Sequence, residues 1–248
     1  MHLVLDRPAQ RNALSVGLIT ALSEALNRAA ANKACRVVTI AGAGPAFCAG
    51  HDLREFRALA RDNRREAYQR IFAQCSALML QIVHLPKPVI AEVHGTATAA
   101  GCQLVATCDL AVAAADARFA TPGVDIGLFC STPMVALARA VGRKPAMEML
   151  LTGELIDAAT AKAIGLVNRV VPRPQLATAT LALARQIAAK SALTLAIGKE
   201  AFYRQAELGL TEAYNYAAEV MTKNMLAHDA AEGIDAFLER RPPVWRDA

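Results

Sequence analysis

The chain of 248 residues can bury a sizeable core, and 54% of its residues are hydrophobic. Charged residues interrupt every apolar run well before a membrane-spanning length, which argues against a membrane protein. The formal net charge of +5 and the pI near 9.0 favour a polyanionic partner, but nucleic acid is not indicated, because no basic run with interleaved aromatic residues and no known binding module is present.

Short β-branched strands alternate with amphipathic helices, which predicts an α/β layered fold. The predicted strands are Leu3–Leu5, Arg36–Ala41, Pro88–Val93, Asp109–Ala114 and Val167–Val171. The predicted helices are a Ser15-capped one to about Ala31, Arg54–Leu85, a short one through Leu104 and Val105, Met134–Val141, Lys144–Leu151 and Asp157–Ile164. Periodicity alone leaves a doubly wound sheet open.

The pattern changes after Gln175, where no further strand is indicated. The remaining predicted helices are Leu176–Ala189, Ala192–Gln205, Thr211–Ala227 and Asp229–Arg240. We therefore predict a core domain over residues 1–190 and a helical region over residues 191–248.

Two stretches with small residues in a specific order predict a chemical site. The first is Phe47–Leu53, with the sequence FCAGHDL, and the second runs from Val93-His94-Gly95 through Ala99–Leu104 to Cys108-Asp109-Leu110. Together they resemble the enoyl-CoA hydratase/isomerase (crotonase) superfamily. That resemblance implies a crotonase (ClpP-like) spiral of ββα units with a C-terminal helical oligomerisation region, in which trimers pack and often pair as hexamers.

The resemblance extends over nearly the whole chain. Further matching stretches are Asp6-Arg7-Pro8, Arg11–Ser15, Ala146–Gly153, Ala161–Val167 and Glu232–Arg241. The stretch Pro122–Pro133 is closer to one subgroup of the family, the enoyl-CoA hydratase domain-containing protein 3 subgroup, which lacks the usual catalytic acids.

In the family, one backbone N–H after the first glycine and another at the start of a helix hold the thioester oxygen. The match assigns these roles to His51 and Ala100. Such an oxyanion hole stabilises developing enolate charge with fixed dipoles in a water-excluding site. Small residues allow close approach to the main chain, and the helix start adds its positive dipole end.

The departures from the family concern its acid–base pair. Hydratases of this family carry carboxylates at the positions of Gln103 and Gly123. An amide can orient water but cannot exchange a proton at neutral pH. Asp125 is the nearest carboxylate, and in an extended segment it would share a face with residue 123; a loop or helix-cap role for Asp125 is the alternative.

Several other side chains have two possible roles. The His51 imidazole could titrate near neutrality or simply cover the pocket. Asp52 is expected to cap N–H groups of its turn. Cys102 and Cys130 could be activated thiolates at helix starts, but small buried hydrophobes are the simpler interpretation.

The resemblance also implies the coenzyme A contacts. Arg11 and Ala13 would lie near the nucleotide, and Ala49, His51 and Leu53 along the pantetheine. Phe237 and Arg240 match positions that reach the nucleotide across a subunit boundary. Coenzyme A belongs to the substrate, so no separate cofactor and no metal are expected.

The six cysteines form no CxxC pair and no cluster with histidine, which predicts reduced, mostly buried thiols. The N-terminus lacks a charged region before an apolar one, so no signal peptide is expected. These features predict a cytoplasmic protein.

The predicted function is that of an enoyl-CoA hydratase-like lyase acting on 2-enoyl-CoA in fatty acid or related acyl-CoA metabolism. Its expected partners are an acyl-CoA thioester and other copies of the chain in a trimer or hexamer, with neither nucleic acid nor membrane. The alternatives are an isomerase, thioesterase or decarboxylase that uses the same oxyanion hole, and a non-catalytic protein that binds CoA thioesters.

Overall fold

The structure is a computed structural model that describes residues 1–59 and 63–248. Its strands are β1 (His2–Leu5), β2 (Val38–Gly42), β3 (Val89–Val93), β4 (Thr96–Thr98), β5 (Leu110–Ala114), β6 (Arg118–Ala120), β7 (Ile156–Asp157) and β8 (Arg169–Val171). Its helices are α1 (Val16–Ala31), α2 (Leu53–Ala58), α3 (Arg64–His84), α4 (Ala100–Thr107), α5 (Ser131–Ala140), α6 (Arg143–Thr152), α7 (Ala158–Ala163), α8 (Leu176–Ala188), α9 (Ala192–Gln205), α10 (Leu210–Met225) and α11 (His228–Glu239). Short 3-10 turns cover Pro8–Gln10, Pro122–Ile126 and Arg173–Gln175.

The larger sheet has five parallel strands in the order β1-β2-β3-β5-β8. The order advances in one direction along the chain, whereas a doubly wound sheet reverses at a switch point. The central strands β2, β3 and β5 are buried along almost their whole length, as expected for a parallel sheet covered on both faces. The doubly wound alternative is therefore wrong.

A second, three-stranded sheet has the order β4-β6-β7, and β4 pairs parallel with β6. The residue Cys48 forms an isolated parallel bridge with Ala97 of β4. The chain thus passes repeatedly from the large sheet to the small one and then into a helix, as in β3-β4-α4 and β5-β6-α5. This is a spiral of ββα units.

The core lies between the two sheets and around α4, in which every residue except Ala106 is buried. Phe47 and Phe119 are among its largest fully buried side chains. On the other face of the large sheet, α8 packs Leu183 against Ile90 and Val112 in a separate cluster. The oxyanion motif is thus attached to the most buried helix of the fold.

The helix starts agree with the capping signals in the sequence. The Ser15 hydroxyl accepts the Leu18 N–H at 3.1 Å and begins α1. The prediction of a single helix over Arg54–Leu85 is wrong, because α2 ends at Leu59, which has extended dihedrals (φ −66°, ψ 134°). Residues 60–62 of that prediction lie outside the described residues. None of the helices described here is long and apolar enough to cross a membrane.

The C-terminal helices are attached to the core by Asp109, the residue before β5. Its carboxylate accepts the Val89 N–H at 2.7 Å, the Lys199 ammonium at 2.7 Å and the Tyr203 hydroxyl at 2.9 Å. Lys199 also donates to the carbonyl oxygens of Ile82 and Lys87, at 2.8 and 3.0 Å. Burial lowers the pKa of Lys199, and the Asp109 carboxylate opposes that shift. The network fixes α9 against the sheet.

The helices α9 and α10 contain no buried residue. They expose large apolar side chains, including Phe202, Leu210, Tyr214 and Met221. The division of the chain at residue 190 stays a prediction.

Candidate functional site

The site begins where the segment after β1 lies beside the FCAGHDL motif. The Ala49 N–H donates to the Arg11 carbonyl at 3.0 Å, and the Leu14 N–H donates to the Gly50 carbonyl at 2.7 Å. The Asp52 N–H then donates to the Leu14 carbonyl at 3.2 Å, which leaves His51 between two bonded residues. In such a parallel bridge the N–H of the middle residue points away from the partner segment. The His51 N–H is therefore directed to the other side of the motif.

The second half of the site is the turn into α4, where Ala99 is strained. Ala99 has φ 51° and ψ −119°, a region that residues with a side chain rarely adopt. Its N–H donates to the Ala120 carbonyl at 2.9 Å, which fixes the peptide. Ala100 is the first residue of α4, so its N–H has no partner within the helix. The strained turn presents this N–H at the positive end of the helix.

Two glycines bring the halves together. A Cβ on Gly50 would lie 3.3 Å from the Ala100 nitrogen and 2.9 Å from the Ala99 Cβ. A Cβ on Gly101 would lie 2.1 Å from the Cys48 carbonyl oxygen. Within the described part of the chain, the N–H groups of His51 and Ala100 make no hydrogen bond. Two adjacent free donors at a helix start can stabilise an oxygen that gains negative charge.

Replacement of Ala99 by glycine should stabilise the protein. Glycine adopts positive φ without steric cost, so we expect Ala99→Gly to raise the free energy of unfolding by about 1 kcal/mol. The matched control is Ala106→Gly within α4, where helical dihedrals make glycine cost about 1 kcal/mol. Urea unfolding of both variants provides the measurement. Destabilisation of equal size in both would contradict strain at Ala99.

Gln103 lies one turn after Ala100 on α4 and is 4% exposed. Within the described residues, its side-chain Oε1 is buried without a hydrogen-bond partner. The residue also lines a cavity of ≈ 1170 Å³ that extends between α3, α5 and α9, past Met79, Val135 and Ile197. His51 and Ala100 do not line this cavity. An unpaired buried carbonyl is costly, and it can accept a hydrogen bond from water or substrate.

The segment with Gly123 and Asp125 was expected to be extended. It instead forms a 3-10 turn over Pro122–Ile126. Gly123 is buried, and a Cβ there would lie 2.6 Å from the Leu128 carbonyl oxygen. Asp125 is exposed, and its Oδ1 lies beside Gly153. The assumption that residues 123 and 125 share one face is wrong, because the 3-10 turn rotates them apart. A catalytic role for Asp125 stays an untested prediction.

The His51 ring lies in a group of aromatic side chains. Its centroid is 5.4 Å from that of Phe56 on α2 and 5.7 Å from that of Phe72 on α3, and Tyr68 packs edge-on against Phe56. Both ring nitrogens are buried without a partner among the described residues. Burial lowers the pKa of His51, and the backbone of Leu14 opposes that shift without reversing it. The ring is therefore neutral at physiological pH.

The thiols near the site are not nucleophiles. Burial raises the pKa of Cys48 and of Cys102 to about 12, and it also raises the pKa of Cys130. A protonated thiol neither attacks a thioester nor binds metal. All six cysteines are free and buried. Among residues 1–59 and 63–248, no group of three or more histidine, cysteine and acidic side chains could hold a metal ion.

Several of the predicted coenzyme A residues lie together. Arg11 is exposed and bonds to Ala49 through its backbone, Ala13 is buried in the same segment, and Leu53 is exposed at the start of α2. Asp52 caps α2 at the Arg54 N–H as expected, and it pairs with Arg7 at 3.0 Å.

The other two coenzyme A residues lie elsewhere on the surface. Phe237, on α11, is 81% exposed and lines a groove with Ser191 and Trp245. Arg240 ends α11. No hydrogen bond or ion pair of the described residues joins either to the segment that contains Arg11. The positions stay predictions.

The aromatic group around His51 was not predicted from the sequence. The residues Tyr68 and Phe72 are four apart on α3 and therefore on one helix face. That spacing was visible in the sequence. Their proximity to His51 was not, because it depends on how α3 packs against α2.

A family model described as enoyl-CoA hydratase/isomerase matches residues 1–248. The enoyl-CoA hydratase domain-containing protein 3 of Homo sapiens is 46% identical to this chain over 244 residues, which are 98% of this chain and 80% of that protein. The Xenopus laevis protein of the same name is 47% identical over 244 residues, 98% of this chain and 82% of its own length. These matches confirm the predicted resemblance and its subgroup.

Solved structures agree with the fold. The crystal structure of enoyl-CoA hydratase from Mycobacterium smegmatis has a TM-score of 0.95 at 53% identity and covers 98% of this chain and 94% of that chain. Human enoyl-CoA hydratase domain-containing protein 3 has a TM-score of 0.94 at 46% identity, with 98% and 95% covered. The predicted crotonase-type α/β fold with a helical C-terminal region is confirmed.

The predicted cytoplasmic location is wrong by the same comparison. The Xenopus, mouse and human relatives are all named as mitochondrial proteins. The names of these relatives contradict the cytoplasmic prediction. The prediction rested on reduced thiols and the composition of the N-terminus, and neither property separates one reducing compartment from another.

Proposed function

Because the chain belongs to the enoyl-CoA hydratase/isomerase family, we propose that it is an enzyme that acts on the coenzyme A thioester of a 2-enoyl acid, nominally by hydration. The observation that supports this most directly is the pair of free N–H groups at His51 and Ala100, set side by side by Gly50. A thioester oxygen bound there would receive two hydrogen bonds as enolate charge develops.

In the proposed reaction the Gln103 Oε1 accepts a hydrogen bond from the attacking water. The water oxygen bonds to C3, the electrons of the double bond move toward C2 and the thioester, and the enolate oxygen is held by the two N–H groups. The added water releases one proton to solvent, and delivery of a proton to C2 completes the addition of H and OH. Gln103 orients the water but cannot take its proton.

The rest of the substrate would lie along the FCAGHDL motif. Ala49, His51 and Leu53 would contact the pantetheine, and the exposed Arg11 would contact phosphate, for which a guanidinium is well suited. We further propose that the exposed apolar faces of α9 and α10 pack in a trimer or hexamer. Such packing would allow Phe237 and Arg240 of one subunit to reach the nucleotide bound by another.

A second candidate function is an oxyanion-hole reaction that needs no carboxylate, such as decarboxylation of a 2-carboxyacyl-CoA. The observation in its favour is the absence of a carboxylate at residues 103 and 123, together with the exposure of Asp125. Isomerisation, thioester hydrolysis and binding without turnover are further alternatives. Product analysis after incubation with enoyl-CoA, 2-carboxyacyl-CoA and saturated acyl-CoA substrates would separate them.

The oxyanion hole can be tested by Gly50→Ala. The added methyl group would meet Ala99 and the Ala100 nitrogen at a residue with φ 92°, and would separate the two N–H donors. Loss of one such donor typically lowers kcat by about 10²–10³-fold. We expect a loss of that size in turnover of crotonyl-CoA, followed by the absorbance of the conjugated thioester.

The matched control is Gly198→Ala, on the exposed surface of α9, where a Cβ meets nothing within 4 Å. This variant should keep its activity. Calorimetric titration with butyryl-CoA would measure binding in both variants. Unchanged turnover in a folded Gly50→Ala protein, or no binding of butyryl-CoA by the unmodified protein, would contradict the proposed function.

A further inference from the structure

The His51 side chain is a titratable group next to the proposed oxyanion hole that the reaction above does not use. The backbone N–H groups of His51 and Ala100 are the proposed donors of the hole, so the His51 side chain branches from a residue of the hole itself. Gln103 and Gly123 cannot exchange protons, and Asp125 lies exposed beside Gly153. A reaction through an enolate therefore needs a proton carrier from another residue.

The environment of the ring is unusual for a purely structural histidine. A neutral imidazole has one donor and one acceptor, and both are buried here without a partner in the described part of the chain. Leaving such groups unpaired costs about 1–3 kcal/mol each. A phenyl ring would satisfy the packing against Phe56 and Phe72 without that cost.

From this geometry we infer that the His51 imidazole is the single proton carrier of the site, taking a proton from C2 of the acyl-CoA and returning one to it. The inference rests on the proposed function, because it requires a thioester in the hole. It assigns to one residue two proton-transfer steps in sequence.

The step balances without any further reactant. A ring nitrogen takes the C2 proton, the C–H electron pair becomes the C1–C2 double bond, and the carbonyl π electrons move to the oxygen held by the N–H groups of His51 and Ala100. Return of a proton from the imidazolium to C2 restores the thioester. In D₂O the imidazolium exchanges its proton with solvent, so a deuteron is returned.

The charge state of the ring suits this role. Burial lowers the pKa of His51 from 6.5, so the ring is neutral and able to accept a proton at pH 7. The titratable neighbours are Asp52, paired with Arg7, Glu55 of α2, which accepts the Val16 N–H, and Tyr68 behind Phe56. None of them forms a hydrogen bond or an ion pair with the ring among the described residues.

The test is deuterium incorporation at C2 of butyryl-CoA in D₂O, followed by mass spectrometry. Butyryl-CoA has no double bond, so exchange reports only proton transfer and enolate stabilisation. We expect His51→Phe, which preserves the aromatic packing, and His51→Gln, which preserves hydrogen bonding, to lose about 10²-fold or more in exchange rate. Calorimetric titration with butyryl-CoA in each variant separates a loss of exchange from a loss of binding.

Retained exchange in His51→Phe would overturn the inference and leave a packing role for the ring. Absence of exchange in the unmodified protein, with butyryl-CoA bound, would also overturn it and would leave the proposed binding site intact. Absence of binding would instead contradict the proposed function.

The pH profile of the unmodified protein gives a second measurement that does not depend on a variant folding. Only the neutral ring accepts a proton, and burial lowers the pKa of His51 from 6.5, so the exchange rate should rise with pH, pass its midpoint below pH 6.5 and level off above that pH. A rate that instead keeps rising with pH through 9 would indicate hydroxide as the base and contradict the inference.

Discussion

Gln103→Glu should raise the rate of crotonyl-CoA hydration by about 10²-fold or more, since a positioned general acid–base group contributes about 10²–10⁴-fold. The side chain is nearly the same size as the original, and residue 103 is buried one turn after Ala100. Burial raises the pKa of a carboxyl group, which would bring the new group nearer to neutrality, where proton transfer in both directions is efficient. Initial rates from the loss of the enoyl-thioester absorbance provide the measurement.

The control is Gln175→Glu, which makes the same chemical change at an exposed position before α8. It should leave the rate unchanged. Gln103→Ala should lower the rate, because it removes the oxygen that orients water. If a folded Gln103→Glu protein gains nothing, the pocket serves chemistry other than hydration.

The second carboxylate of the family cannot be restored in the same way by substitution of Gly123. A Cβ at Gly123 would lie 2.6 Å from the Leu128 carbonyl oxygen. The Gly123 carbonyl accepts the Leu128 N–H at 2.9 Å, which holds the two residues together across the turn. The turn itself therefore excludes the residue that hydratases of the family carry there. For this reason His51, rather than a second carboxylate, is the group to examine.

Asp109→Ala should lower the free energy of unfolding by about 3–5 kcal/mol, because breaking a buried ion pair leaves an uncompensated charge. The Lys199 side chain is only 7% exposed, and it would lose its carboxylate partner. The Tyr203 hydroxyl and the Val89 N–H would also lose their acceptor. Urea unfolding at fixed protein concentration, followed by circular dichroism, provides the measurement.

The matched control is Asp116→Ala. Asp116 pairs with Arg173 at 2.9 Å, but both side chains are about half exposed, and such a pair contributes about 0–1 kcal/mol. A loss of stability in Asp109→Ala no larger than in this control would show that α9 is held by other contacts.

The pH dependence of Asp109→Ala gives a second check. Burial already lowers the pKa of Lys199 from 10.5, and removal of Asp109 lowers it further. The folded state then binds fewer protons than the unfolded state, so stability should rise as the pH approaches 10. Part of the loss at pH 7 should therefore be recovered at high pH.

Much of the helical structure could be predicted from the sequence, because it depends on local patterns. The predicted helix Ala192–Gln205 has the same bounds in the structure, and Ser15 caps α1 as expected. The break between α2 and α3 was missed, because the apolar periodicity of the sequence continues across it. The helix nevertheless ends at Leu59, which has extended dihedrals.

The small sheet could not be predicted. Its strands β4, β6 and β7 contain 3, 3 and 2 residues, too few for an alternating pattern to stand out. They form because the ends of the large sheet place Thr96–Thr98 beside Arg118–Ala120. This long-range pairing adds a second sheet to the alternating strands and helices, and it makes the fold a spiral of ββα units rather than a doubly wound sheet.

The sequence by itself determined the family, the small residues of the oxyanion motif and the loss of both usual carboxylates, because these are properties of residue type and order. Only the tertiary structure decided that Gly123 has no room for a side chain, that Asp125 is turned outward, and that His51 is enclosed by rings from α2 and α3. These outcomes depend on contacts between residues far apart in the chain, and spacing along the sequence does not specify such contacts.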